Sequence, residues 1–289
     1  MNKTAPIIPL LAALGFLIPT VGAMACPDHD TIRETANAFS SKNPGPGYPN
    51  GTPLDDGYCA QAKYLEFLGA RLGVQVGYKA GLTNTKLQER FGADEPVGGV
   101  VFEEMLQPSG SEITTDSGVR LFYEADLIVT VTDERINSAR AHGEVIQYLG
   151  EVIPFLEILD IVVAEGEPLN LATIIGYNVV SRTGVIGKGI PVQPTQEFIN
   201  ALGKIESLTV DQTGQEIQRA QGSDMIGHPL NVVIWLIQHL EAQGKQLKPG
   251  DVLSLGAMGT FRPVEAGQTI TVHYTGLPTG DSKATVTFR

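Results

Sequence analysis

Cysteine and histidine are scarce in this chain. Two cysteines, Cys26 and Cys59, and five scattered histidines occur in 289 residues. None falls at the paired spacing of a tetrahedral zinc site, which excludes zinc fingers, ribbons and His-rich metal centres. Positive charge is also short. Twenty Lys and Arg stand against 32 Asp and Glu, a net charge of −12, which argues against a nucleic-acid surface and against anionic lipid. The apolar run Ile7–Ile18 is short and broken by Pro9 and Gly15, so no transmembrane span is expected. Internal repeats and low-complexity segments are absent.

What remains is an ordinary globular composition, 42% hydrophobic and 18% charged, with enough apolar residues for a sizeable core. The N-terminus reads as an export signal. Lys3 supplies a positive charge, Ile7–Ile18 the apolar stretch, and Ala23-Met24-Ala25 the small residues of a cleavage site. The mature protein then starts at Cys26 and is expected in the periplasm, either soluble or as a lipoprotein anchored through Cys26. Ala23 stands where a lipoprotein signal usually has a bulkier aliphatic residue, which favours the soluble form. In an oxidising compartment Cys26 and Cys59 are free to pair.

The most telling segment is Leu121-Phe122-Tyr123-Glu124-Ala125-Asp126-Leu127-Ile128-Val129, two carboxylates in an apolar strand-like run. Alternation along a strand puts Glu124 and Asp126 on one face, roughly 6.6 Å apart. At an effective dielectric of 20 two such charges repel by about 2.5 kcal/mol, and desolvation adds to that. An oxygen-seeking divalent cation offsets both; a solvated sheet face is the plainer alternative. A third carboxylate, Glu157, lies in a second apolar run, Ile153–Leu159, and would complete a facial set.

Helices are expected over Thr31–Ser41, from Asp55 or Asp56 to Leu72, over Thr85–Phe91 closed by Gly92, over Ala139–Leu149, within Pro194–Ile205, and over Pro229–Gln243 with His228-Pro229 at its start. Strands are expected over Val74–Lys79, Val100–Phe102, Leu121–Thr132, Asn178–Ile186, Val252–Leu255, Ile270–Tyr274 and Ala284–Phe288, with a hairpin around Asp211–Gln215. Strands with segregated helices indicate an α+β fold. His228 reads as helix-start structure, and Trp235 and the methionines as core.

Five motifs occur in order: Gly77-Tyr78-Lys79-Ala80-Gly81-Leu82-Thr83, Glu124-Ala125-Asp126, Pro154-Phe155-Leu156-Glu157, Gly222-Ser223-Asp224-Met225-Ile226-Gly227-His228-Pro229, and Gly250–Gly259 followed by Val264-Glu265-Ala266-Gly267. Together they resemble the 2-keto-4-pentenoate hydratase branch of the fumarylacetoacetate hydrolase superfamily, over most of the chain from about Asp55 to Phe288. The resemblance implies a mixed β-roll with flanking helices, often oligomeric. On it, residues 26–97 form a helical segment packing on the roll and residues 98–289 the catalytic domain. It implies Mg²⁺ or Mn²⁺ held by Glu124, Asp126 and Glu157. It also implies Lys79 as the catalytic and substrate-binding lysine, and Leu82, Ser223, Ser254 and Gly256 as further substrate-binding positions. The implied activity is addition of water to a 2-hydroxy-2,4-dienoate, giving a 4-hydroxy-2-oxo acid. Decarboxylation of an unsaturated 2-oxo diacid is the runner-up, carbon–carbon hydrolysis of an acylpyruvate comes third, and a non-catalytic exported ligand-binding module is the alternative from another class.

The chain departs from the family pattern in four ways. Asp126 replaces the second Glu of a Glu-x-Glu pair. Asp160 is followed by Ile161-Val162 where relatives often have Ser-Arg. Tyr177 stands before Asn178 where relatives often have Asp. An export signal is also unusual, because the family's aromatic-degradation pathways run in the cytoplasm.

Overall fold

The computed structural model describes Met1 and residues 26–289; the expected export signal lies outside the described residues. Two helices lead, α1 (His29–Ser41) and α2 (Leu54–Leu72). Asp28 caps α1 by accepting from the Thr31 amide, while Asp55 and Asp56 sit in the first turn of α2, where its dipole favours negative charge. A disulfide joins Cys26 to Cys59 on α2, with the Cα atoms 5.6 Å apart. Then come β1 (Gln75–Gly81), α3 (Thr85–Phe91), β2 (Val97–Phe102), β3 (Leu106–Pro108), β4 (Glu112–Ile113) and β5 (Leu121–Val131). Next are α4 (His142–Val145), β6 (Leu149–Asp160), α5 (Leu171–Gly176), β7 (Ser181–Ile186), β8 (Ile190–Pro191) and α6 (Gln196–Leu202). The chain closes with β9 (Glu206–Val210), β10 (Glu216–Gln221), α7 (Pro229–Ala242), β11 (Val252–Ala257), β12 (Arg262–Pro263), β13 (Thr269–Thr275) and β14 (Ser282–Phe288).

The strands form two mixed sheets. The larger has nine strands, ordered β2-β1-β11-β5-β6-β7-β3 with β12 on β5 and β8 on β6; the smaller has five, β10-β9-β13-β14-β4. β1 and β2 are hydrogen-bonded members of the large sheet, and the boundary expected after residue 97 falls at the first residue of β2. The main core fills the space between the sheets. Tyr123, Ala125, Leu127 and Val129 of β5 and Leu156 and Ile158 of β6 belong to it, together with Ile270, Val272, Val286 and Phe288. The Tyr123 and Phe288 rings stack at 5.9 Å. Because odd positions of β5 face this core, the even positions Phe122, Glu124 and Asp126 turn to the opposite face.

Two expectations fail locally. The helix expected over Ala139–Leu149 shrinks to α4 and one 3₁₀ turn, Ile146–Tyr148, because Leu149 already pairs with Val131; sheet pairing overrides a weak propensity interrupted by Gly143. The strand expected from Asn178 starts at Ser181. Asn178, Val179 and Val180 instead adopt φ of 54°, 56° and 50°, a left-handed conformation that disfavours each residue by about 1–2 kcal/mol. Asn178 holds it. Its side chain accepts from the Val100 amide at 2.8 Å and donates to the Val100 carbonyl at 2.9 Å, as another strand would.

Candidate active site: a buried carboxylate cluster at the head of an apolar cavity

The β5–β6 register sets Glu124 directly opposite Glu157. Side chains opposite one another in an antiparallel pair share a face, so Glu157 joins Glu124 and Asp126. Oxygens of the three carboxylates lie within 4.8 Å of one another, and all three residues are buried. Five neighbours arrange them. Lys79, reaching from β1, donates Nζ–H to Glu157 Oε1, and both groups are about fully buried, 2% and 1% exposed. Ser181 Oγ donates to the same oxygen at 2.5 Å. Ser254 Oγ donates to Asp126 Oδ2 at 2.5 Å, the Leu127 amide donates to Asp126 Oδ1, and Tyr274 donates to the Asp126 carbonyl.

One lysine does not balance three acids. Burial, and next the nearby Glu157 carboxylate, push Glu124 well above the ordinary carboxylate range. The same two causes, in that order, push Asp126 up to about 7, with the Ser254 hydroxyl opposing. Glu157 Oε2 is buried without a hydrogen-bond partner. An all-oxygen set converging within one ion's reach, with an orphaned oxygen, suits a hard divalent cation.

Through Glu124 and Lys79 the cluster borders a cavity of about 440 Å³ whose lining also includes Leu82, Arg120 and Phe261, with Asp126 and Glu157 behind the wall. A groove of about 760 Å³ elsewhere, beside α2 and α7, holds none of the three carboxylates; the chemistry belongs to the smaller space.

The other positions singled out in the sequence divide. Leu82 lines the cavity, in a left-handed conformation with φ 54°. Ser254 is buried behind the cluster and touches Asp126, so it holds a carboxylate instead of lining the cavity. Gly256 packs beneath Thr83: with φ 91°, a Cβ there would lie 2.3 Å from Thr83 Oγ1 and 2.9 Å from the Ala80 carbonyl. Ser223 is exposed on the turn Gly222–Asp224 and is not part of the cavity wall; the buried residue of that turn, Gly222, packs against Leu202 and Ile205. His228 caps α7, its Nδ1 accepting from the Leu230 amide at 3.0 Å.

Three contributors, the Ser181-Arg182 pair, Thr83 and Asn178, lie outside the set assigned to the site from the sequence. Ser181 and Arg182 of β7 supply a serine to Glu157 and a guanidinium to Asp160, Nη1 to Oδ2 at 2.8 Å. A Ser-Arg dipeptide, absent after Asp160, is thus present on the neighbouring strand, where it contacts Glu157 and Asp160. Thr83 is cavity-lining with a buried hydroxyl that has no partner. Asn178 shapes the wall through Val179 and Val180. A polar dipeptide shortly after the buried Tyr177-Asn178 was the available signal for the first.

A profile of the Fumarylacetoacetate (FAA) hydrolase C-terminal family matches residues 72–286. The chain belongs to this family. Within the fumarylacetoacetate hydrolase family it is 27% identical, over 227 residues, to a 2-keto-4-pentenoate hydratase of Paraburkholderia xenovorans, covering 78% of this chain and 81% of that one. A 4-oxalocrotonate decarboxylase of a Pseudomonas species is 27% identical over 231 residues, 80% of this chain and 84% of the relative. Among solved structures, 4-oxalocrotonate decarboxylase from Pseudomonas putida, complexed with magnesium and adipate, superposes with a TM-score of 0.80 at 22% identity, covering 90% of this chain and 96% of that one. The expected α+β roll is therefore the fold of this family member.

Proposed function

We propose that this protein is a metal-dependent hydratase that adds water to a 2-hydroxy-2,4-dienoate, giving a 4-hydroxy-2-oxo acid. The observation that carries the reading is the buried Glu124–Asp126–Glu157 cluster, joined by Lys79, at the head of an apolar cavity. The relatives named 2-keto-4-pentenoate hydratase support it. Glu124, Asp126 and Glu157 would hold Mg²⁺ or Mn²⁺, which when bound supplies Lewis-acid polarisation of a substrate oxygen.

The chain's own residues do the rest. Ser181 and Lys79 fix the orientation of Glu157, and Ser254 that of Asp126. Lys79, which lines the cavity, holds a proton on Nζ beside the substrate's carboxylate end and moves it to and from carbon. The dienol loses its 2-hydroxyl proton and gains one at C5, becoming the conjugated 2-oxo-3-enoate; the hydroxyl of a water then adds at C4 and its proton at C3, for a net gain of one water. The apolar wall keeps other water away from the conjugated acid.

Decarboxylation of an unsaturated 2-oxo diacid is the second reading, favoured by the equal identity to the decarboxylase. The deciding experiment follows 2-hydroxypenta-2,4-dienoate by ultraviolet absorbance with and without magnesium. Magnesium-dependent loss that yields 4-hydroxy-2-oxopentanoate supports hydration. Carbon dioxide release from the diacid, with no hydration, would replace it.

We also assign the protein to an oxidising compartment, as a soluble exported protein. The Cys26–Cys59 disulfide supports this, since such bonds persist outside reducing cytosol, and it engages the thiol that a lipid anchor would need. Among the described residues no helix is long and apolar enough to cross a membrane. A homo-oligomer is proposed on the family resemblance, tested by light scattering.

A further inference from the structure

The strand register places more than the carboxylates. On the same face of β5 and β6, one rung beyond the Glu124–Glu157 pair, stand Phe122 and Leu159, which are themselves paired. Both line the cavity. β12 pairs with β5 at Phe122 and brings in Phe261, whose ring meets Phe122 edge to face at 5.2 Å. Ile161, Leu169, Ile174 and Val179 complete this part of the lining. The space is larger than a five-carbon acid needs. Its 440 Å³ equals about fifteen liquid-water volumes, whereas 2-hydroxypenta-2,4-dienoate has only about eight carbon and oxygen atoms, so roughly half stays unfilled.

The cations of the lining are distributed unequally. Lys79 is buried and already faces Glu157. Arg90 and Arg120 are exposed, at the mouth. The Arg90 guanidinium sits 5.5 Å over the Phe91 ring, and Arg120 Nη2 donates to the Val163 carbonyl at 3.3 Å. A carboxylate at the far end of a substrate would therefore lie against aromatic and aliphatic side chains with no buried cation to meet it, which is strongly unfavourable.

Resting on the hydratase reading, we propose that the substrate is a monoacid whose dienol bears a bulky apolar substituent, aryl or branched alkyl, at its distal end, held by Phe122, Phe261, Leu159, Leu169 and Ile174. The wall thus sets specificity by excluding a second carboxylate and by rewarding apolar area.

The test uses binding, so that it does not depend on turnover. Magnesium-loaded mature protein is titrated calorimetrically with three unreactive saturated acids: 2-oxopentanoate, 2-oxo-5-phenylpentanoate and 2-oxoadipate. The phenyl acid should bind roughly tenfold or more tighter than 2-oxopentanoate, and 2-oxoadipate weaker than either. Phe261→Ala, at a half-buried position, should narrow the phenyl preference severalfold. A flat series, or 2-oxoadipate binding as tightly as the phenyl acid through Arg90 and Arg120, overturns the inference; so does failure of all three to bind. Hydration of 2-hydroxypenta-2,4-dienoate, measured in parallel, separates the two ideas. Hydration with a flat series sinks the apolar-tail inference alone. A phenyl preference without hydration of any dienol sinks the hydratase reading and leaves the wall's preference standing.

Discussion

Raising the pH on metal-free protein should destabilise it, and Asp126 gives the magnitude. Its folded-state pKa, pushed up to about 7 by burial and by Glu157, compares with 3.8 in the unfolded chain. Between those values the folded state keeps a proton that the unfolded state has released. Stability therefore falls as pH rises from about 4 to about 7 and stays low above that. At 1.36 kcal/mol per pH unit the loss is about 4 kcal/mol from Asp126 alone, and Glu124, raised by the same causes, adds in the same direction. The assay is guanidinium unfolding at pH 5 and pH 7.5, with chelator and with excess magnesium. Metal-free protein should be several kcal/mol weaker at pH 7.5, magnesium should restore most of that, and Asp126→Asn should remove a large part of the pH dependence. The variant isolates the cluster from other titrating groups. Binding of magnesium at pH 6 should also release protons, visible as a heat that changes with buffer. Metal-free protein equally stable at both pH values, with Asp126→Asn no more stable than wild type at pH 7.5, would refute this charge balance in the cluster.

Other perturbations have equally definite outcomes. Lys79→Met should lower turnover of the dienol by about 10²–10⁴, the range of a lost proton-transfer group, while calorimetry still detects magnesium. Asn178→Ala leaves the Val100 amide and carbonyl unpartnered in the interior, so chemical denaturation should show about 2–4 kcal/mol lost. Reducing the Cys26–Cys59 bond, which spans 33 residues of sequence, should lower stability by about 3–4 kcal/mol in the loop-entropy account, read as a lower thermal midpoint with reductant. Ser181→Ala should weaken magnesium binding or turnover with little change in fold, since its hydroxyl reaches only Glu157 Oε1 among side chains.

Much of the site is legible as pattern because it sits on β5 and β6. A period of two fixes which residues share a face, so the strand pattern alone pairs Glu124 with Asp126, and Glu157 becomes their partner through the β5–β6 register that sets it opposite Glu124. Helix ends are equally local: Asn84 and Gly92 bracket α3, and His228-Pro229 opens α7. The failures share a cause. Asn178–Val180 read as strand because valine favours pleated backbone, yet the side-chain clamp of Asn178 on Val100, 78 residues earlier in sequence, outweighs that preference. Ser223 lies within a matching motif, but the turn that carries it buries Gly222 and leaves Ser223 exposed.

By itself the sequence determined the acid pairs, the lysine within a strand, the α+β class and the cysteines available to each other, because each depends on short-range periodicity, composition or a motif. Tertiary structure alone decided that Ser181 reaches Glu157 and Arg182 reaches Asp160, that Ser254 braces Asp126, and that Phe122, Leu159 and Phe261 meet in one wall beside the carboxylates. Those contacts join strands far apart in sequence, and burial, which gives the charges their strength, exists only once the sheets have closed around them.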